Sequence, residues 1–419
     1  MPAKIIIVTG ISGSGSGAFC ARYLSDRKKV KIYRTGDMLY EFAQEYSPVP
    51  RENLLNLQPE ILANLRDKVF RKIIDNLKFD MERFNPEYFT RLEERVKLAR
   101  DAGIYVSVML FEGWGLQFSP GAFESHPFHP DNNINGINGD ANGDGSATEI
   151  HTMGDIRINS IQKAYVMHVI DVLNKYDNVL YEISNENHPP STEWQYDMIR
   201  FIKNYEMSLP KQHPVGMTFQ YRGGSNKVLF DSPADWISPY PEGGYRDNPP
   251  PADGSKVIIT DTDHLWGLGG NPGWIWKSFL RGMNPLFMDP YDCRVLANAC
   301  DEAWLESMRK GQGFTLMIAD RTDLISMVPH PELASTSYCL ANKGLEYLVY
   351  LSDTSTVTID LENAPGKFTA EWFDTGTGKF FQAQRIKGGK KVILNSPSGV
   401  KNTVLFFYLK AAGTSIKKK

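Results

Sequence analysis

Cysteine is scarce: 419 residues hold four, Cys20, Cys293, Cys300 and Cys339, and no two make a CxxC pair. That argues against a disulfide-built scaffold and leaves buried or half-buried thiols. An excess of charge of one sign is also missing. Lys and Arg number 46 against 49 Asp and Glu, a formal charge of −3, so the electrostatic footprint of a nucleic-acid binder is absent. No stretch approaches the about 20 apolar residues needed to span a bilayer. The opening MPAKIIIVTG carries one Lys and a short apolar run. It lacks the longer apolar core and cleavage site of a signal peptide, so the expectation is a cytoplasmic protein with no membrane partner. Aromatic residues, by contrast, reach 12% and fall mostly after residue 80. Their flat faces suit core packing and also sugar rings.

The chain reads as three segments and a tail. Residues 1–78 alternate strand and helix. Lys4–Thr9 is a β-branched run, a glycine-rich stretch follows, and Ala18–Leu24, Asp37–Glu45 and Pro50 to Leu77 read as helices around a second strand at Val30–Tyr33. Residues 79–330 carry six strand-like runs: Ile104–Leu110, Val179–Ser184, Val215–Gln220, Trp236–Ser238, Lys256–Thr260 and Pro285–Met288. Helical spacing falls between them at Pro86–Asp101, Ile156–Tyr176, Trp194–Leu209, Trp274–Gly282 and Glu302–Asp320. Repeated βα units predict a parallel sheet, and at this length a barrel. Residues 331–412 lose the helical period. Short alternating runs at Glu346–Leu351, Val357–Leu361, Phe368–Phe373, Lys391–Leu394 and Val404–Leu409 predict a small antiparallel β-sandwich. Residues 413–419 form a basic tail.

The strongest chemical signal is the run VLYEISNENH, residues 179–188, where a buried strand ends in Asn185-Glu186. A second acidic strand end follows in VIITDTDH, with Asp261 and Asp263. Active sites of α/β barrels gather at the carboxyl ends of strands. Two carboxylates on different strand ends are what a retaining glycosidase needs, as acid/base and nucleophile, roughly 5–5.5 Å apart. Trp114, His188, Tyr240, Trp266 and Asp289 also fall at or just beyond strand ends and together suit a sugar-binding cleft.

Ser184-Asn185-Glu186 after one strand, with an acidic residue ending a later one, resembles the clan A glycoside hydrolases. More closely, about four-fifths of the chain, from about Lys78 to Leu409, resembles a bacterial glycosidase family whose barrel precedes a so-called collagen-binding sandwich. The matching stretches are MLFEGWGLQF, YEISNENHPPSTEWQYDMIRFI, DTDHLWGLGG, FLRGMNPLFMDPYD and EYLVYL. The resemblance implies Glu186 as acid/base and Asn185 as a hydrogen-bond partner of the sugar 2-hydroxyl. It implies an oligo- or polysaccharide substrate and no required cofactor. The clan's usual nucleophile is a Glu after the seventh strand, where this chain has Asp261, favoured by position, and Asp263 two residues on.

Two loops suggest ions or nucleotides. Asp140, Asn142 and Asp144, followed by Gly145, take the first, third, fifth and sixth places of a calcium loop. The twelfth place is His151 rather than Glu, so a structural calcium ion stands beside a metal-free Asn/Gly turn. Near the start, Gly10, Gly13 and Gly15 lie between a strand and a helix, the context of a phosphate loop. Ser16 and Gly17 occupy the places of the Lys and Ser/Thr. With VKIYRTGDMLYEFAQE, this segment resembles the front of an archaeal adenylate-kinase-like P-loop protein with a degenerate loop, which leaves nucleotide binding and a purely structural turn both open.

Six strands after residue 79 and two before it add to eight. The expected fold is therefore α/β: a (β/α)8 TIM-like barrel whose first two βα units come from the P-loop-like fragment, followed by the all-β sandwich. The alternative is a broken junction with exposed strand edges. In the clan that the chain resembles, the second strand commonly carries an Arg that orients the nucleophile, and the resemblance makes Arg34, just after Val30–Tyr33, the candidate for that place. The expected activity is O-glycosyl hydrolysis by double displacement. A non-catalytic carbohydrate- or protein-binding role and a nucleotide-binding role are the alternatives.

Overall fold

The computed structural model describes residues 78–290 and 301–409, together with the backbone of two strands at residues 4–8 and 30–34. Gly10, Gly13, Gly15, the three helices expected before residue 78, Cys20, Cys293, Cys300 and the tail lie outside the described residues. The chain divides into two compact units, one of Met1–Arg83 with Gly121–Ala141, the other of Phe84–Pro120 with Asn142–Lys419.

In the first unit, β1 (Lys4–Val8) and β2 (Val30–Arg34) pair in parallel, in register from Lys4 with Val30 to Val8 with Arg34. They are direct neighbours, as consecutive barrel strands must be. Elsewhere in this unit Phe79 bridges Asn133. The buried Asn133 amide donates to the carbonyls of Pro127, His129 and Ile137, which closes the 127–137 loop on itself.

The second unit begins with α1 (Pro86–Asp101), opened by an Asn85 cap and Pro86 at its first position. Six strands follow: β3 (Val106–Glu112), β4 (Val179–Asn185), β5 (Val215–Thr218), β6 (Trp236–Ser238), β7 (Val257–Asp261) and β8 (Asn284–Leu286). They form one parallel sheet in sequence order. Between them run α2 (Trp114–Phe118), α3 (Ile156–Leu173), α4 (Thr192–Glu206), α5 (Asn226–Asp231), α6 (Thr262–Trp266) and α7 (Pro272–Leu280), and α8 (Glu302–Ala319) follows β8. This is the βα alternation read from the sequence, with strand and helix ends shifted by a few residues.

Strand β4 shows what positions the site. Val179, Tyr181 and Ile183 point outward and are buried in one apolar cluster with Ile170 and Leu173 of α3 and Met198, Ile199 and Ile202 of α4. Their neighbours Glu182 and Ser184 face the other side of the sheet and are buried as well. Within this unit the sheet is an open six-strand arc with β3 and β8 at its edges. Met109, in register with Glu182, is 45% exposed there.

The sandwich has a six-stranded sheet and a two-stranded one. The larger has the spatial order β14 (Lys379–Lys387), β13 (Lys367–Asp374), β16 (Thr403–Leu409), β11 (Glu346–Leu351), β10 (Cys339–Asn342) and β9 (Val328–Pro329). The smaller pairs β12 (Thr356–Asp360) with β15 (Lys391–Asn395). One face of the larger sheet, with Tyr347, Val349, Phe368, Trp372 and Phe407, packs on Val357 and Ile359 of the smaller. The other face, with Leu348, Tyr350, Phe373, Val404 and Phe406, packs on Trp276 and Leu280 of α7 and Ile318 of α8. EYLVYL is therefore almost continuously apolar because both sides of β11 are covered. Among the described residues, no helix is long and apolar enough to cross a membrane.

Candidate active site

Glu186 follows β4 directly and takes a left-handed backbone conformation, φ +41°. For a residue with a Cβ this conformation is strained and persists only when its surroundings hold it. Both ends of its backbone are held. Thr218 Oγ1, at the end of β5, accepts from the Glu186 amide at 3.3 Å and donates to the Ser184 carbonyl at 3.0 Å. Gln117 Nε2, from α2, donates to the Glu186 carbonyl at 2.9 Å and to the Gly113 carbonyl at 3.0 Å. Gly113 allows this closeness, because a Cβ there would lie 2.5 Å from Asn187 Cγ.

The turn brings Glu186 against the end of β7. Carboxylate oxygens of Glu186 and Asp263 and a ring nitrogen of His264 lie within 4.8 Å of one another. Asp261 has a different part. Its Oδ1 accepts from the Asp263 amide at 2.8 Å and caps α6, a single turn that directs Asp263 to Glu186. His264 Nδ1 is 2.7 Å from Ser238 Oγ at the end of β6. Four strand ends, of β4, β5, β6 and β7, thus converge on one acidic centre.

Burial governs the charges. Glu186 is 8% exposed. Burial, and then the carboxylates of Asp263, Asp261 and Glu112, push it up to about 8. Burial raises Asp261 to about 6, against the hydrogen bond from the Asp263 amide. Asp263 is raised by burial and by Asp261, and His264 opposes this. Burial lowers His264 to about 4, so its imidazole is neutral at pH 7. Beneath them Glu182 is pushed up to about 7 by burial and by Asp261, with the nearby Thr218 and Ser107 hydroxyls opposing this.

The remaining residues expected at the site fall into groups. Asn185 ends β4, and its carbonyl accepts from the Gly113 amide at 3.0 Å. His188, lowered by burial, holds Asn187 Oδ1 through Nδ1 at 2.7 Å. Tyr240 is 39% exposed and stacks on Phe219 with centroids 4.2 Å apart. Phe219 in turn lies 6.2 Å from the His264 ring, so an aromatic wall adjoins the acidic centre. Trp114 is half-exposed on α2, whose first amides donate to the Glu112 carboxylate at 2.9 and 2.6 Å. Trp266 packs edge-on against Trp274 at 5.1 Å, with Arg246 over its ring. Asp289 accepts a forked pair from Arg309 on α8 at 2.7 and 2.8 Å. Thr218, Gln117, His264 and Glu182 were not singled out by the sequence. Glu182 had a visible signal, sharing the strand parity of Ser184 and Glu186.

In the expected calcium loop, Asn142 Nδ2 donates to Asp144 Oδ2 at 3.0 Å, and the Asp144 and Ser146 amides donate to Asn142 Oδ1 and Asp144 Oδ1 at 2.8 Å each. The Glu149 carboxylate accepts from the Asn142 amide at 3.1 Å. Asp144 and Glu149 are the carboxylates this loop offers a cation. Asp140 belongs to the first unit, where its amide donates to Asn138 Oδ1 at 3.1 Å.

Residues 325–405 match the family model described as "Putative collagen-binding domain of a collagenase". Among solved structures, the chain is similar to a glycoside hydrolase family 5 protein from Bacteroides vulgatus, with 14% identity, TM-score 0.51, and 78% of this chain and 75% of that one covered. It is also similar to a structure described as a glycoside hydrolase, at 12% identity and TM-score 0.48, covering 79% of this chain and 90% of that one. A third, described as "a putative glycoside hydrolase" from the same Bacteroides species, has 15% identity and TM-score 0.48, covering 79% of this chain and 65% of that one. No curated protein matches the chain. The first likeness shows a glycoside-hydrolase-like α/β barrel fold, and the antiparallel C-terminal domain agrees with the family model. No comparison supports a P-loop origin for residues 1–78.

Proposed function

We propose that this chain is a retaining glycoside hydrolase acting on an oligo- or polysaccharide, with Glu186 as acid/base and Asp263 as nucleophile. The observation that carries this reading is the pair of carboxylates on two strand ends, their oxygens within 4.8 Å. Retaining enzymes hold the two groups roughly 5–5.5 Å apart, whereas inverting enzymes leave about 6.5–9.5 Å for a water. Glu186, buried and pushed up to about 8, carries the proton that the leaving oxygen needs at neutral pH. Asp263 attacks the anomeric carbon to form a glycosyl ester. Glu186, now a carboxylate, then takes a proton from the water that hydrolyses the ester.

The other groups take supporting roles. Asp261 keeps Asp263 in place through its amide. Asn185, at the end of β4, is assigned to the sugar 2-hydroxyl, and Tyr240, backed by the buried Phe219, to the apolar face of a sugar ring. The calcium reading of Asp140, Asn142 and Asp144 rests on their sequence spacing alone.

The test is hydrolysis of an activated aryl glycoside followed by NMR of the first-formed anomer. Retained configuration in the wild type, with activity lost in Asp263→Asn and Glu186→Gln, is the expected result. An inverted product, or unchanged turnover in Glu186→Gln, overturns the assignment.

A further inference from the structure

A cavity of about 660 Å³ opens between helices α7 and α8 and the sandwich. Its volume falls within the about 300–1,000 Å³ typical of ligand sites. None of Glu186, Asp261 or Asp263 lines it.

Its place in the fold is informative. In a βα unit the amino end of each helix lies at the carboxyl end of the preceding strand. The first turns of α7 and α8, which form one wall, therefore stand at the same end of the sheet as the acidic centre. Only six residues separate His264 from Asn271, the cap of α7. The opposite wall is made by three sandwich turns at residues 352–353, 374–376 and 401–402.

The sandwich wall is built rather than loose. The Asn402 carbonyl accepts from the Thr375 hydroxyl at 2.5 Å, and the Asn402 amide donates to the Ser352 carbonyl at 3.2 Å. Asp374 ties its own turn by accepting from the Gly376 amide at 2.8 Å and the Thr377 hydroxyl at 2.8 Å. At the floor, the buried Tyr350 donates to Asn402 Oδ1 at 3.3 Å. Gly273 keeps that floor open: a Cβ there would stand 3.1 Å from Asn271 Oδ1 and 3.3 Å from the Tyr350 hydroxyl.

The lining selects the ligand class. Lys277, Lys310 and Lys401 are matched by Glu306, Asp353 and Asp374, so neither an anion nor a cation is favoured. Apart from the buried Tyr350 ring, the apolar side chains there are Pro272 and Ala303, which is too little to hold a hydrophobic ligand. Hydroxyls, amides and paired charges suit a neutral, polyhydroxylated chain bound through many hydrogen bonds.

We infer that this cavity is a distal subsite for a neutral glycan, formed jointly by α7, α8 and the sandwich turns, which holds a remote stretch of the polymer cleaved at Glu186. The link to cleavage rests on the glycosidase reading; glycan binding itself does not.

The experiment uses the full chain in native gels containing xylan, galactomannan, linear arabinan or mixed-linkage glucan, beside two variants, Ser307→Trp to fill the cavity and Lys401→Ala to remove an exposed lysine of its wall. The expected result is retardation by at least one neutral polysaccharide. It should weaken at least tenfold in Ser307→Trp and measurably in Lys401→Ala, and persist in Glu186→Gln. Turnover of an aryl glycoside, too short to span both sites, should stay at wild-type level in Lys401→Ala while KM for the retarding polymer rises. That turnover reports on the catalytic reading separately. No retardation by any neutral glycan, binding only to an acidic polysaccharide or a triple-helical collagen peptide, or equal retardation of Lys401→Ala and a folded Ser307→Trp each overturns the inference.

Discussion

Thr218 Oγ1 stands between the Glu186 amide, at 3.3 Å, and the Ser184 carbonyl, at 3.0 Å, so one hydroxyl on β5 closes the turn that carries the proposed acid/base. Thr218→Val keeps the shape and removes both bonds. We expect kcat/KM to fall about 10- to 100-fold through misplacement of Glu186, while stability changes by about 1 kcal/mol. Thr218→Ser should restore most of the rate. Equal kinetics in the Val and Ser variants would remove Thr218 from the positioning role.

The two aspartates near β7 are separable. Asp263→Asn removes the proposed nucleophile and should lower kcat at least about 10³-fold on glycosides. Asp261→Asn keeps a side chain able to cap α6, so the loss should be far smaller. If Asp261→Asn is the deader variant, the roles are exchanged. Steady-state rates on one aryl glycoside decide between them.

The pH profile follows from the same charges. In the proposed mechanism Glu186 acts protonated, so kcat/KM should fall as pH rises through about 8. Negative charge at Asp261 helps raise Glu186. Asp261→Asn should therefore move the alkaline limb toward lower pH. A limb that stays fixed would show that another group titrates there.

Glu186 also costs stability in a defined window. Its folded pKa, about 8, lies above the ordinary 4.5. Between these values the unfolded chain has released a proton that the folded chain keeps, so stability declines as pH rises. Glu186→Gln should therefore melt higher than wild type at pH 8 and equally at pH 4, as read by calorimetry.

A buried pair elsewhere shares this direction of pH dependence. His213 Nε2 is 2.6 Å from the Tyr176 carbonyl and Nδ1 is 2.7 Å from Glu206 Oε1, so both ring nitrogens face acceptors. Burial pushes His213 down, but Glu206 and the Tyr176 carbonyl outweigh it and hold it above 6.5. Its contribution is complete below 6.5 and is lost as pH rises through the folded value. His213→Gln should cost more in urea midpoint at pH 5.5 than at pH 9.

Much of this was legible in the residues. Asn85-Pro86 and Asp301 mark helix starts chemically, and α1 and α8 begin where those signals fall. The barrel strands stood out because their helix-facing sides are apolar and β-branched. β14 did not: KFFQAQRIK is an exposed sheet edge, so its alternation is weak. β9 is two residues long and contains a proline. At the candidate site, Glu186 stood out in the sequence because it directly follows strand β4. The different settings of Asp261 and Asp263 did not show there, because α6 is one turn long and the Asp261 cap sets its direction. Thr218, Gln117 and His264 reach Glu186 from three other segments, and only folding makes them neighbours.

Trp276, Leu280 and Ile318 are covered on one side by the sandwich sheet. The outer wall of this part of the barrel is therefore β-structure instead of water. A chain cut before Val328 would carry that apolar surface into solvent, so the C-terminal module is no detachable appendage. Exchange of such modules between related proteins would have to bring matching α7 and α8 faces with it. The two parts are thus bound to change together, as a lock and its plate are cut to one pattern.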